Sequence, residues 1–388
     1  MARSIITGID IGTSNIKVVI SHGSERGDKG LDKGLPKILG IGMAESKGLR
    51  HGYITNLADV AESIRKAVSE AEKKADVRVK KAFVSIGGIG LGSFVSSSSI
   101  IISRADSEIT ALDIKKVVEQ CEKDIPPAQI LNKKIINSIP LQYKIDGKAT
   151  LGKPEGMKGN KFEIKTLYIT CLEHHLNDII QAVEEAGMAV EDVVAAPIAA
   201  SLVTLSKSQK IAGCILANIG SQTTSIAVFE NSAPASLEVF PIGSTDITND
   251  IALGLKVPLE EAEQIKIGVI TGSSYPRKKL EEIISARLSD IFELIEAHLK
   301  KIGRNGLLPA GIVLIGGGAG LSNIEEMAKT ALRLPARLGA SKDAVWVTAY
   351  GLCVLGTHAE EDVPIDTSTL FLAKAGKAIV NLIKQFLP

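Results

Sequence analysis

The chain has 388 residues, of which 45% are apolar and 23% charged, and its formal net charge is +1. That length suits two domains of ordinary size, the composition is that of a soluble globular protein, and the near-zero charge excludes a bulk electrostatic pull toward nucleic acid. No apolar run approaches the roughly 18 residues that would span a bilayer, and no charged-then-apolar leader opens the sequence. The four cysteines, Cys121, Cys171, Cys214 and Cys353, are never in CxxC spacing. Buried, reduced thiols in a cytoplasmic setting are the expectation.

In chain order, residues 5–20 read as a strand, a tight Gly turn and a strand. The polar, Gly-rich "HGSERGDKGLDKGLPK" follows as an exposed hairpin tip. "ILGIGMAES" is the next strand. Leu57 to Lys74 carries apolar residues at helical spacing, with Asn56 as N-cap, and "KAFVSIGG" returns as a strand. The texture then changes. "SFVSSSSIIIS" reads as an exposed edge strand, "TALDIKKVVEQCEK" as a helix and "KKIINSIPLQYKIDGKAT" as a strand with a bulge or turn at its Pro. "KTLYITCL" and "EHHLNDIIQAVEEAGM" resume the first style, as if a small module had been inserted between strand and helix. The adjacent His174 and His175 face different directions on a helix, so they read as a helix start and not as metal ligands.

The second half repeats the plan. "ILANIGSQTTSIAVF" is a strand–turn–strand hairpin, "SLEVFPIGS" a third strand and "TDITNDIALGL" a helix. A helical insert follows from about Val257 to Gly303, then the strand "AGIVLIGGGAG", the helix "LSNIEEMAKTAL" and a closing helix around "AVWVTAYGLCVLG". Two βββαβα units, each with an insertion, amount to an internal duplication.

Chemistry enters at the two hairpins. A Gly bend between strands leaves backbone N–H groups at the tip, and small residues let a phosphate chain approach them closely. A single such turn is ordinary structure; two on related lobes would clamp a triphosphate from both sides. "VLIGGGAGLSNIEEM" adds a strand that runs into three glycines and a helix start, which suits a nucleoside and its phosphates. "LEEAEQIKI" places Glu263 and Lys266 three apart on one helix face, where a solvated ion pair is the plainer reading.

These residues resemble the actin, Hsp70 and sugar kinase superfamily: "GIDIGTSNIKVV" is similar to its first phosphate loop, "LANIGSQTTSIAV" to its second and "GIVLIGGGAGLS" to its adenosine motif. Within it, "IPLQYKIDG", "DITNDIALGL" and "AEQIKIG" resemble the FtsA family of bacterial cell-division proteins, and the likeness covers nearly the whole chain. The resemblance implies an α/β actin-like fold, two duplicated lobes around a nucleotide cleft. Residues 1–82 and 163–210 would form the first lobe, 83–162 an inserted subdomain, and 211–256 with 304–356 the second lobe. A helical subdomain would span 257–303, a linker 357–370 and a membrane-targeting helix 371–388.

Carried over, the resemblance makes Asp10 the holder of the Mg²⁺ hydration shell of a bound ATP. Gly12, Thr13, Ser14, Asn15 and Lys17 would line the phosphates, with Asn218, Gly220, Ser221, Gln222 and Thr223 closing from the second lobe. Gly243 and Asp246 would sit behind the second hairpin. Glu263 and Lys266 would flank ribose and adenine, and Gly316, Gly317, Gly318 and Leu321 would cover the base. Implied partners are the FtsZ tail, an anionic membrane surface and further copies in a homodimer or polymer, at the cytoplasmic face of the division site.

Departures qualify this. The second hairpin of relatives carries two carboxylates; here Asn218 and Ser225 stand in their places. Ala196 replaces the Glu that often precedes the Pro of the interlobe helix. General-base help is worth about 10² to 10⁴-fold, so hydrolysis is expected to be weak or absent; drift in a disused site is the other explanation. A kinase or chaperone-type ATPase, and a pilus-assembly adaptor of the same fold, are the rival functions. In the last segment, Leu372, Ile379, Leu382, Ile383, Phe386 and Leu387 fall on one face at about 100° per residue. Lys374, Lys377 and Lys384 fall on the other. Such a helix, roughly 25 Å long, suits the headgroup layer of an anionic membrane; docking on its own domain is the alternative. Arg277, Lys278 and Lys279, beside an apolar stripe of Leu280, Ile283, Ile284, Leu288, Ile291, Leu294 and Ile295, are the expected surface for FtsZ.

Overall fold

The structure is a computed structural model that describes residues 5–22, 35–150, 152–270, 275–339 and 345–361. Strands β1 (Ile5–Ile11), β2 (Asn15–His22) and β3 (Lys37–Glu45) form an antiparallel meander, followed by the short pair β4 (Leu49–Arg50) and β5 (Tyr53–Ile54). Helix α1 (Leu57–Ala75) forms where expected. Asn56 caps it by accepting from the Asp59 amide, and Val60, Ile64, Ala67, Val68 and Ala71 are buried along one face. Each large side chain on that face contributes about 1.5–3 kcal/mol of burial. Strand β6 (Lys81–Ile86) then pairs parallel with β1.

The inserted subdomain comprises β7 (Gly92–Ile101), α2 (Ala111–Lys123), α3 (Pro127–Ile130), β8 (Lys133–Ile145), β9 (Lys148–Ala149) and β10 (Lys161–Leu172). Its sheet runs β7-β10-β8-β9, so the Ser-rich strand lies at an edge, as expected. The expected boundaries at 83 and 162 need correction. Residues 83–86 belong to β6 in the first lobe's sheet, and nearly all of β10, assigned to that lobe, is paired with β7 and β8.

Helix α4 (Glu173–Glu185) and β11 (Ala189–Ala195) complete the first lobe, whose sheet order is β11-β6-β1-β2-β3. Helices α5 (Ala196–Thr204) and α6 (Lys207–Ala212) lead to β12 (Cys214–Ile219), β13 (Thr224–Glu230) and β14 (Ala233–Phe240). Then come α7 (Ser244–Leu255), α8 (Leu259–Lys266), α9 (Arg277–Lys301), β15 (Ile312–Ile315), a 3₁₀ turn at Gly317–Gly320, α10 (Ile324–Leu332), β16 (Ala336–Leu338) and α11 (Val347–Glu361). The second sheet runs β14-β13-β12-β15-β16. Counted within each lobe, both sheets have the strand order 3-2-1-4-5, and the duplication inferred from the hairpins is present in the topology.

Two helices cross between the lobes. Helix α5 follows a first-lobe strand yet reaches β12 and β13, while α11 packs on β1, β2, β6 and α5. The closing helix therefore belongs by packing to the first lobe, not the second. Its apolar residues surround the axis, as in a helix buried on all sides. At the crossing, a Cβ on Gly351 would lie 1.9 Å from the Ala199 carbonyl oxygen, so only glycine fits. The helix also continues to Glu361, into the span expected as linker. In α9 the buried stripe holds Phe292, His298 and Leu299 as well, whereas Leu294 is exposed. All four cysteines are buried and free. The polar tip at 23–34 and the segment 362–388, with every expected membrane-facing residue, lie outside the described residues.

Candidate functional site

The two hairpin turns are built alike. In the first, Asp10 lies opposite Lys17 and Ile11 opposite Ile16; in the second, Asn218 lies opposite Ser225 and Ile219 opposite Thr224. A Cβ on Gly12 would sit 2.9 Å from the Asn15 carbonyl oxygen, and one on Gly220 would sit 2.9 Å from that of Thr223. Neither bend admits a side chain. The first hairpin thus carries an acid–base pair where the second carries an amide and a hydroxyl.

Asp10 is held from two sides. Ser85 on β6 donates to its Oδ1 at 2.8 Å and accepts from the Ile11 amide at 3.2 Å. Lys17 Nζ lies 3.6 Å from Oδ2, and both side chains are mostly buried. The parallel β1–β6 pairing brings Ser85 here from 75 residues away in sequence.

Around the second turn, the Ser244 and Thr245 amides at the start of α7 donate to the carbonyls of Gly220 and Ser221, at 2.9 and 2.7 Å. Gly243 and Asp246 lie behind the turn as expected: Asp246 accepts from the Gly243 amide at 2.8 Å and caps α7. Gln222 departs from expectation. Its Oε1 accepts from the His51 amide of the first lobe at 2.7 Å, and its carbonyl lies 3.1 Å from His51 Nδ1. It spans the lobes and does not line the cleft.

Lys266 is also tied up. Its Nζ donates to the Ser244 carbonyl, Thr248 Oγ1 and Glu263 Oε2 at 3.1, 2.8 and 2.7 Å, which uses all three ammonium hydrogens. It braces α7 to α8 and is not a free ligand donor. Burial pushes the Glu263 carboxyl up, but the bonds from Lys266 and Thr248 outweigh it and hold the group below its usual range. Gly316 has φ +88°, and a Cβ on it would lie 2.3 Å from Asn218 Oδ1. The three glycines enter a 3₁₀ turn, and α10 begins only at Ile324.

These parts enclose one cleft of about 680 Å³ between the lobes. Asp10, Gly12, Thr13, Ser14, Asn15, Lys17, Asn218, Gly220, Ser221, Thr223, Glu263, Lys266, Gly316, Gly317, Gly318 and Leu321 line it, and Ala196 sits at its wall. Of the residues singled out from sequence, Gln222, Gly243 and Asp246 are not among the lining residues. Sequence reasoning missed Gly52, Ser85, Gly87, Gly88, Ser244, Thr245 and Thr348, while Ser225, noted there as a replaced carboxylate, does line the cleft. The signal for three of these was the "VSIGG" ending of β6, a strand running into small residues like the other lining elements. Among the described residues no group of three or more His, Cys, Asp or Glu side chains could hold a metal ion.

Duplicated five-stranded sheets, crossing helices and paired Gly hairpins around one cleft define an actin-like protein. Among solved structures, the chain is similar to one described as "PilM-PilN type IV pilus biogenesis complex", with TM-score 0.66 and 17% identity over 92% of this chain and 99% of that one. It is also similar to the ADP-bound crystal structure of MreB5 of Spiroplasma citri, with TM-score 0.51 and 12% identity over 92% and 99%. The family model "Cell division protein FtsA" matches residues 215–351, and "SHS2 domain inserted in FTSA" matches residues 90–170. The cell-division protein FtsA of Pseudomonas aeruginosa is 30% identical over 92% of this chain and 90% of its own length, and that of Bacillus subtilis 30% over 90% and 83%. The chain belongs to the FtsA family of cell-division proteins.

Proposed function

We propose that the cleft binds ATP with Mg²⁺ and turns it over slowly, and that the protein anchors FtsZ filaments to the cytoplasmic face of the membrane. The carrying observation is the pair of equivalent hairpin turns on one cleft, with a carboxylate on the first only. The residues fit the group: neither Gly12 nor Gly220 leaves room for a Cβ, hydroxyls line both turns, and Asp10 is oriented by Ser85. Asp10 would hold the cation through its water shell, while Lys17 and the turn amides would face the phosphates. The bound cation would neutralise phosphate charge. Glu263 and the Gly316–Gly318 turn would hold the nucleoside, with Leu321 over the base; Lys266 acts by fixing Glu263.

Slow turnover follows from Asn218, which hydrogen-bonds a water but takes no proton from it at neutral pH, and from Ala196, which offers no polar group. The same census weighs against a kinase. The lining carboxylates are Asp10, hydrogen-bonded by Ser85 and ion-paired with Lys17, and Glu263, bonded by Lys266 and Thr248. Neither is placed as a free base.

For FtsZ, the first turn of α9 supports the reading. Arg277, Lys278 and Lys279 are exposed, form no ion pair among the described residues and face the positive end of a helix dipole with no acid in that turn. Bases there are unfavourable for the helix and free to meet an acidic partner. No helix among the described residues is long and apolar enough to cross a membrane; the amphipathic segment 371–388 is the proposed anchor, and lobe-to-lobe stacking the proposed polymer contact. Co-sedimentation of the full chain and FtsZ with anionic liposomes, with and without ATP, tests the whole. We expect both proteins to pellet, a chain ending at Asp366 and Ile383→Glu to stay in solution, and charge reversal at 277–279 to pellet without FtsZ. Pelleting of both anchor variants would refute the tether.

A further inference from the structure

One connector touches both hairpin tips. Ser46, just after β3, donates through Oγ to the Gly12 carbonyl at 2.5 Å and through its amide to the Ser14 carbonyl at 3.0 Å. Five residues on, His51 holds Gln222 of the second tip through its amide and ring. The same connector then reaches the root of the inserted subdomain. Gly52 meets Gly88 backbone to backbone, so closely that a Cβ on Gly52 would lie 2.4 Å from the Gly88 Cα. Tyr53 packs edge-on against His175, with ring centroids 4.8 Å apart, and its hydroxyl lies against Gly90, where a Cβ would come within 2.6 Å of it.

That root is where the chain enters and leaves the inserted subdomain. Residues 87–91 lead into β7, and β10 returns through Leu172 to α4. The two passages touch, since a Cβ on Gly90 would lie 2.7 Å from Leu172 Cγ, and His175 Nε2 lies 3.0 Å from the Gly87 carbonyl oxygen. Gly52, Gly87 and Gly88 also line the cleft. Gly88, at φ +90°, holds a conformation that only glycine adopts without strain, a natural place for a hinge. At the root, His175 Nδ1 is buried with no hydrogen-bond partner among the described residues.

We propose that residues 46–53 act as a strap that couples occupancy of the cleft to the orientation of the inserted subdomain. The inference rests on the nucleotide reading of the cleft and adds how that site is communicated. A ligand bridging both tips favours the arrangement in which Gln222 meets His51, which draws Gly52 and Tyr53 against the root. When the tips part, those bonds break and the root is released. A ligand that contacts both lobes binds the closed arrangement better, and that difference is what shifts the equilibrium.

The test is hydrogen exchange of the full chain with and without Mg-ATP, beside a calorimetric titration of the same samples. Each variant is compared at its own saturating ATP concentration. In the unmodified chain, ATP slows amide exchange at residues 87–93 and 172–175 by about fivefold or more, the lower end of ordinary allosteric coupling. The double variant His51→Ala with Gln222→Ala, which removes both the ring contact to the Gln222 carbonyl and the acceptor of the His51 amide, removes the slowing at the root while the titration still shows ATP bound. ATP bound with no change at the root, or a double variant that responds like the unmodified chain, overturns the coupling alone. A chain that binds no ATP overturns the reading of the cleft, and the coupling with it.

Discussion

Asp10 and Asn218 occupy equivalent positions in two related hairpins, and the proposed slow turnover rests on the difference between them. Asn218→Asp restores a group that can accept a proton. It should raise phosphate release by on the order of 10²-fold, measured in a steady-state assay; no increase would shift the deficit to Ala196. A second residue-scale consequence concerns acid. His298 on α9 is buried with Nε2 2.8 Å from Ser236 Oγ. Burial, helped by Lys301, pushes its pKa down to about 4. Glu238 stands 3.7 Å from Nδ1, too far for a hydrogen bond, and its own carboxyl is pushed up by burial; desolvation wins. With the native value depressed, the unfolded chain binds the extra proton, so stability is lost as pH falls from 6.5 toward about 4, by up to about 3 kcal/mol. Asp192 runs the other way: burial raises its pKa to about 7, so its contribution is lost as pH rises toward that value. Denaturant unfolding of His298→Asn beside the unmodified chain at several pH values separates the two. The variant should lose less stability between pH 7 and 5, and an equal loss would mean that the imidazole takes up its proton as readily in the native protein as in the unfolded chain.

At the scale of elements, the crossing of α5 and α11 joins the lobes most directly, and it depends on the missing side chain at Gly351. Gly351→Ala forces a methyl against the Ala199 carbonyl. It should destabilise by about 1–3 kcal/mol, read as a lower unfolding midpoint; an unchanged midpoint would show that the helices slide apart freely. What the sequence reveals of these elements follows from what each element needs. Helix α1 was legible because its cap, its 3.6-residue spacing and its buried face all lie within twenty residues. The hairpins were legible because a glycine bend between apolar strands is local, and appears twice. The edges of the inserted subdomain were not. Strand β10 is buried from Thr166 to Cys171, so its pattern is that of a central lobe strand, and only its pairing with β7, some 70 residues earlier, and with β8 assigns it elsewhere. The all-round apolar surface of α11 announces burial but not the sheet that covers it. Ser85 was hidden for the same reason, since it meets Asp10 from 75 residues away; the Glu263–Lys266 pair was legible from its spacing, but the bonds of Lys266 to Ser244 and Thr248 on α7 were not.

At the scale of the whole molecule, two lobes and a crossing pair of helices converge on one cleft, and membrane attachment and FtsZ capture are proposed to work around it. The claim underlying all of these is that the cleft holds Mg-ATP through a carboxylate on one side only. Calorimetric titration of the full chain with ATP, with and without Mg²⁺, tests it most directly when phosphate release is followed in the same preparation. The account predicts binding that Mg²⁺ strengthens, a loss of about tenfold or more in affinity, ~1.4 kcal/mol, for Asp10→Ala in the presence of Mg²⁺ only, and turnover well below about 1 s⁻¹. Absence of binding, binding indifferent to both Mg²⁺ and Asp10, or turnover at or above about 1 s⁻¹ would contradict it.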